Sequence, residues 1–250
     1  MTTVISDEVA MFGREVVARL QRLLANDFVG AYFVGSIALG GYVAGESDID
    51  IVAISEHPLV EDLKHSVADV LWDVARDCPA RGLEFTLYRR EMAASPPEAA
   101  DFEVNVNGGP RMSRTVHLYS RDEPRFWYIL DRAIGHRCGI PISGPPAAEV
   151  FADAPRRILL DVMIESVRWH REHEKATLYS VLNASRAWRY AAEDILGSKL
   201  GGAAWARERW RRAALIDAAV EQRHGRAADL NGQEVDELLD YVEIALAKAS

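Results

Sequence analysis

Two aspartates one residue apart, Asp48 and Asp50, follow a Gly-Ser pair, Gly35 and Ser36, across eleven intervening residues. An apolar run, YFV, ends at Gly35, and a second, IVAI, begins straight after Asp50. Residues i and i+2 of a strand point to one face. The two carboxylates therefore share a face, and Ile49 and Ile51 share the opposite one and can bury. Paired carboxylates on a rigid strand suit a hard divalent cation such as Mg2+, which takes oxygen ligands and draws some of them from substrate phosphates. Gly35 fits the other half of such a site, because a residue without a Cβ lets the backbone approach a phosphate, and Ser36 offers an N–H and a hydroxyl as donors. The implied ligand is a metal-complexed nucleotide. A bare Asp-x-Asp is common at solvated strand ends; the Gly-Ser pair at this distance, with strands on both sides, gives it meaning.

The elements that must hold these residues can be read in order. From Ser6 to Asn26, Val9, Phe12, Val16, Leu20 and Leu23 recur at helical spacing and predict an amphipathic helix. The strand VGAYFV, the glycine loop and the strand DIDIVAI follow. Pro58 then opens a helix whose buried stripe is Leu59, Leu63, Val67, Leu71 and Val74. In GLEFTLYRR, Leu83, Phe85 and Leu87 alternate with Glu84, Thr86 and Tyr88, the pattern of a half-buried strand with Glu84 on its polar face. FEVNVN from Phe102 predicts a further strand, Asn107 to Pro110 a turn, and RTVHLYS another strand. Helical character returns from Pro124 to about Arg137.

The segment from Gly139 to Pro155 concentrates proline, glycine and small residues. It predicts a boundary between a first domain, residues 1–147, and a second, residues 148–250. Beyond it only helical patterns occur: Ile158 to His173, Thr177 to Leu196 with Gly197-Ser198 as a stop, Trp205 to Arg223, and Gln233 to Ala247. Four such helices predict an up-and-down bundle. The expected fold class is α+β, a mixed sheet flanked by helices followed by an all-α bundle.

Composition narrows the partners. With 49% hydrophobic residues the chain can bury sizeable cores, and a net charge of −9 argues against a nucleic-acid binder, which needs a basic footprint. Cationic ligands are favoured instead. Cys78 and Cys138 stand far apart and without metal-ligand spacing, which points to the cytoplasm rather than to a disulfide framework. The uncharged run from Phe28 to Gly45 is broken by five glycines, so no membrane span is expected there. Met1 to Ala10 is polar and acidic, unlike a secretory signal. A monomer without nucleic-acid or membrane partners is expected.

At Gly35-Ser36 and Asp48-Ile49-Asp50 the chain resembles the DNA polymerase β-like nucleotidyltransferases, whose signature is Gly-Ser, about a dozen residues, then Asp-x-Asp entering a strand. Over its whole length it is similar to the aminoglycoside O-adenylyltransferases that modify streptomycin and spectinomycin. That likeness is carried by Leu83-Glu84-Phe85-Thr86, by Gly144-Pro145 leading to Ala148-Glu149-Val150-Phe151, and most specifically by the run from Val181 to Ala206. The resemblance implies an N-terminal nucleotidyltransferase domain and a C-terminal helical bundle. It also implies Mg2+ with ATP as co-substrate, a small cationic antibiotic as acceptor, and antibiotic resistance as the outcome.

It further implies roles for single residues: Asp48, Asp50 and Glu84 as catalytic carboxylates at the metal, and Gly35, Ser36 and Ser47 at the nucleotide. Arg186 and Lys199 match an arginine and a lysine that reach the nucleotide phosphates across the interdomain cleft. Glu84 is the expected acceptor of the substrate hydroxyl's proton.

Streptomycin-accepting members carry a tryptophan after the strand matching FEVNV and an aspartate at the start of the arginine-bearing helix. Here the first region reads Asn105-Val106-Asn107-Gly108-Gly109, and the second offers Glu172 and Glu174 at shifted positions. Spectinomycin is therefore the expected acceptor. The rival readings are a nucleotidyltransferase with another small-molecule or protein acceptor, and a non-catalytic, antitoxin-like interaction module. His170 and His173 lie three apart on a helix but have no third ligand nearby, and their charged neighbours predict a solvated helix end. Trp169, Trp188, Trp205 and Trp210 read as core or cleft wall.

Overall fold

The computed structural model describes residues 5–121 and 123–250, so the first four residues of the acidic opening stretch lie outside it. The chain divides into two units, Met1–Ala154 and Pro155–Ser250.

The first unit is built on a six-stranded sheet. Its strands are β1 (Phe28–Phe33), β2 (Ile49–Ser55), β3 (Leu83–Arg89), β4 (Val104–Gly109), β5 (Met112–His117) and β6 (Ile140–Ser143). The spatial order is β5-β4-β3-β2-β1-β6, with β2 and β3 parallel and every other pairing antiparallel. The helices are α1 (Asp7–Leu24), α2 (Gly35–Ala38), α3 (Glu61–Ala75), α4 (Arg90–Ala93), α5 (Arg125–Cys138) and α6 (Ala147–Val150). Ser6 caps α1 by accepting the Val9 N–H, as a serine ahead of an apolar stripe should.

Strand alternation sorts the sheet into two faces. Ile49, Ile51 and Ala53 of β2, Leu83, Phe85 and Leu87 of β3, and Val104 and Val106 of β4 form one core with α1 and α3 residues such as Val16, Leu20, Val67 and Leu71. Burial of these side chains is worth about 1.5–3 kcal/mol each and fixes the register, since a one-residue slip would turn them to water. The opposite face carries Asp50, Glu84, Thr86, Asn105 and Asn107 toward one end, and buried Tyr32, Val52, Ile54 and Tyr88 beside them.

Three local differences from the sequence-based expectation have physical causes. β6 was not foreseen, because four residues including Pro141 read as linker; as an edge strand beside β1 it tolerates the proline. The β4–β5 turn falls at Pro110-Arg111, and Gly108 and Gly109 remain in the strand. The unit boundary comes later than residue 147, because α6 stays with α5: His136 Nδ1 bonds the Phe151 carbonyl at 2.6 Å, and the Phe151 ring packs on Gly135.

The second unit is all helical: α7 (Arg156–His173), α8 (Leu178–Glu193), α9 (Lys199–Arg207), α10 (Ala213–Arg223) and α11 (Gly232–Ala249). Five helices replace the expected four, because the run from Trp205 to Arg223 breaks between Arg207 and Ala213. Thr177 caps α8, and Ser198 caps α9 by accepting the Gly201 N–H at 3.1 Å. Trp188 meets Trp205, Trp210 and Tyr241 edge-to-face, and Trp210 and Tyr241 meet at a tilt, to form an aromatic cluster. His170 is buried rather than solvated, with Nδ1 on Glu174 at 2.7 Å and Nε2 on Asn183 at 2.8 Å.

No helix among the described residues is long and apolar enough to cross a membrane.

Candidate active site

The site begins where β1 ends. Val34 donates its N–H to the Asp50 carbonyl at 3.1 Å, which ties the end of β1 to the start of β2. The chain then turns through Gly35 at φ +51°, a left-handed conformation that glycine adopts without strain. Ser36 donates its N–H to Asp50 Oδ2 at 3.2 Å. A methyl group at Gly35 would stand 2.0 Å from that same oxygen. Glycine is thus required for two separate reasons: the backbone angle, and the carboxylate seated against it.

Asp48 and Asp50 flank Ile49, which is fully buried, and both keep partial access to solvent. Parallel pairing of β2 with β3 sets Asp50 in register with Glu84. The third carboxylate thereby comes to the first two, as its place on the polar face of β3 predicts. Arg81 Nη1 lies 4.0 Å from Asp48 Oδ2, and a cation there partly offsets the acidic cluster.

Glu84 has its pKa raised well above the ordinary 4.5, by desolvation in the protein around it, by the charges of Asp48 and Asp50, by a hydrogen bond to Asp48, and by Asp131 of α5. The Glu84 side chain is exposed, so repulsion from the neighbouring carboxylates carries the physical argument. Asp131 is a fourth acidic group that sequence reasoning missed; an aspartate on an amphipathic helix carries no signal of its own.

Among the described residues, no three His, Cys, Asp or Glu side chains are arranged to hold a metal by themselves. Two aspartates on one strand face nevertheless fit a magnesium ion that completes its shell with phosphate oxygens. The Ser36 hydroxyl supports that fit: it is buried without a hydrogen-bond partner, beside a backbone kept open by Gly35. Buried polar groups rarely stay unsatisfied, and an orphan hydroxyl here has a donor to give to a ligand.

Ser47 is fully buried, and its Oγ accepts the Val43 N–H at 2.9 Å, which closes the glycine loop just before Asp48.

In the second unit, Arg186 lies on α8 and Lys199 at the start of α9. A Cβ at Gly202 would stand 2.6 Å from the Arg186 Cα, so glycine lets α9 press on α8 at the arginine. Lys199 Nζ sits 5.1 Å from the Tyr179 ring centroid, a cation–π distance. The two cations are thus on adjoining helices.

Compared with curated protein sequences, the chain has no significant match. Residues 149–248 match the family model described as aminoglycoside adenylyltransferase, C-terminal domain. Among solved structures, the chain is similar to the spectinomycin adenyltransferase AAD(9) from Enterococcus faecialis, crystallised with ATP and spectinomycin. The TM-score is 0.73 at 15% identity, over 95% of this chain and 98% of that one. At that identity the likeness establishes the fold alone: a mixed sheet flanked by helices, followed by a helical domain. The second unit is thus similar to the C-terminal domain of the aminoglycoside adenylyltransferases, and the whole chain shares the fold of AAD(9).

Proposed function

We propose that the chain transfers AMP from ATP to a hydroxyl of a small cationic aminocyclitol, with spectinomycin preferred to streptomycin, and releases pyrophosphate. The observation that carries this reading is the register pairing of Asp50 with Glu84, beside Asp48 and the Gly35-Ser36 turn. It puts metal-type carboxylates and a carboxylate of raised pKa in one place.

Asp48 and Asp50 would hold Mg2+, which when bound supplies Lewis acidity toward the phosphate oxygens. The Ser36 hydroxyl donates to the nucleotide; its N–H is already engaged by Asp50. Arg186 and Lys199 are assigned to the phosphates, where guanidinium and ammonium donors offset the charge on the departing pyrophosphate.

Glu84 takes the proton of the acceptor hydroxyl as its oxygen bonds the α-phosphorus and the bond from that phosphorus to the β-phosphate oxygen breaks. A raised pKa suits this task, because a base works best when its pKa lies nearer the operating pH. The acidic surroundings attract a cationic acceptor. Cys78 and Cys138 are both free thiols, which fits a reducing compartment, and we place the enzyme in the cytoplasm.

Spectinomycin is favoured because β4 ends in Asn107-Gly108-Gly109, which offers no indole wall for a bulky drug. Nor does Glu174, near the start of α8, stand in for the aspartate of the streptomycin-accepting members: it is held by His170 and Thr177, and those bonds lower its pKa. Comparing kcat/KM for the two drugs tests the preference, with at least about fivefold in favour of spectinomycin expected from one or two missing contacts of about 1–3 kcal/mol. A clear preference for streptomycin overturns it.

A further inference from the structure

Beside Glu84 the sheet carries a polar relay that the chemistry above does not use. β4 runs antiparallel to β3, with Asn107 opposite Glu84 and Asn105 opposite Thr86. Directly opposed residues have their Cβ atoms about 4.5–5.5 Å apart on the same face. Asn105 Nδ2 donates to the Phe85 carbonyl at 3.0 Å and to Thr86 Oγ1 at 3.1 Å, and Asn107 Nδ2 donates to Asn105 Oδ1 at 3.3 Å. Asn107 Oδ1 is buried and has no hydrogen-bond partner.

The orientation of this relay follows from chemistry. A backbone carbonyl can only accept, so the Asn105 group bonded to Phe85 must be its NH2. The Asn105 oxygen then faces Asn107 and must receive an N–H. That consumes the Asn107 amide nitrogen and leaves its oxygen as the open end. The relay delivers one acceptor-only atom, held rigidly, next to the proposed base.

Such an atom selects for donors. Phosphate oxygens of a nucleotide have no hydrogen to offer it, whereas a polyhydroxylated, aminated acceptor has several. Resting on the proposed adenylyl transfer, we infer that Asn107 is a specificity-determining residue of the acceptor subsite. Its Oδ1 accepts a hydrogen bond from a hydroxyl or ammonium group neighbouring the hydroxyl that Glu84 deprotonates. Asn105 is the positioning residue behind it.

Steady-state kinetics of the full chain with ATP and spectinomycin, for wild type, Asn107→Ala and Asn107→Asp, test the assignment. Asn107→Ala should raise the KM for spectinomycin about tenfold, the usual scale for one lost buried hydrogen bond, and leave the KM for ATP within about twofold. Asn107→Asp keeps the accepting oxygens but cannot donate to Asn105. It should hold the spectinomycin KM near wild type. An unchanged spectinomycin KM in Asn107→Ala overturns the inference. So does an Asn107→Asp variant as impaired as Asn107→Ala, which would reduce Asn107 to a donor for Asn105. Should Asn107→Ala fail to fold, Asn107→Asp decides by the same criterion. Failure of the underlying function looks different: the wild type itself then adenylylates no acceptor, and the inference falls with it.

Discussion

Asp50 and Glu84 face one another in register on adjacent parallel strands, so a carboxylate seated on the Gly35-Ser36 turn stands beside one whose pKa is raised. Three acidic groups gathered at the starts of the two central strands repel each other, and the fold holds them there because the alternate residues of the same strands, Ile49, Ile51, Leu83 and Phe85, are fully buried. The core pattern and the site pattern are two phases of one alternation.

Glu84→Gln removes the proposed proton acceptor and leaves both aspartates. Turnover should fall by about 10²–10⁴, the usual worth of general-base assistance, with ATP affinity retained. Calorimetric titration with Mg-ATP checks the second half; a parallel loss of ATP affinity would make Glu84 a metal ligand instead of the base.

The same substitution has a signature in stability. Glu84's folded pKa lies above its ordinary value of 4.5, so between those two values the folded chain holds a proton that the unfolded chain has released. Stability due to this group is therefore lost as pH rises through that window. Glu84→Gln should melt at a higher temperature than wild type near about pH 8, with the advantage closing as pH falls toward about 4. Melting curves across that range check it, and a difference independent of pH contradicts the assigned shift.

Gly35→Ala meets two obstacles at once, a left-handed φ of +51° and a Cβ placed 2.0 Å from Asp50 Oδ2. The strain should cost about 1–3 kcal/mol. Activity should fall further than stability, because the carboxylate itself must move. Denaturant melts paired with initial rates test this; wild-type rates in a destabilised variant would separate Asp50 from the chemistry.

Much of this was legible in the sequence, and the exceptions are instructive. Gly35-Ser36 and Asp48-Asp50 were readable because their spacing and strand alternation coincide, and Glu84 because LEFTLY alternates cleanly. The loop-closing bond from Val43 N–H to the Ser47 hydroxyl oxygen had no signal, because a serine next to Asp48 looks like a ligand whether or not it also closes a turn. The break between α9 and α10 was invisible, since charged and aromatic residues continue across Glu208 to Arg212. Asn107 stands out in the sequence only as the place where an aromatic residue is missing. The available signal was two asparagines in alternate positions of a strand, where asparagine is disfavoured and needs a reason. Asp131 is brought to the site by helix packing alone, which no local pattern encodes.

The central claim is adenylyl transfer to a small cationic acceptor by this carboxylate cluster. Its most direct test is pyrophosphate release from ATP by the purified chain with Mg2+, with and without spectinomycin, set beside Asp50→Asn. The account predicts release that depends on the acceptor, matched by an acceptor heavier by one adenylyl group, and abolished in a folded Asp50→Asn. Acceptor-independent release, no release across a panel of aminocyclitols and aminoglycosides, or a near wild-type rate in Asp50→Asn would contradict it.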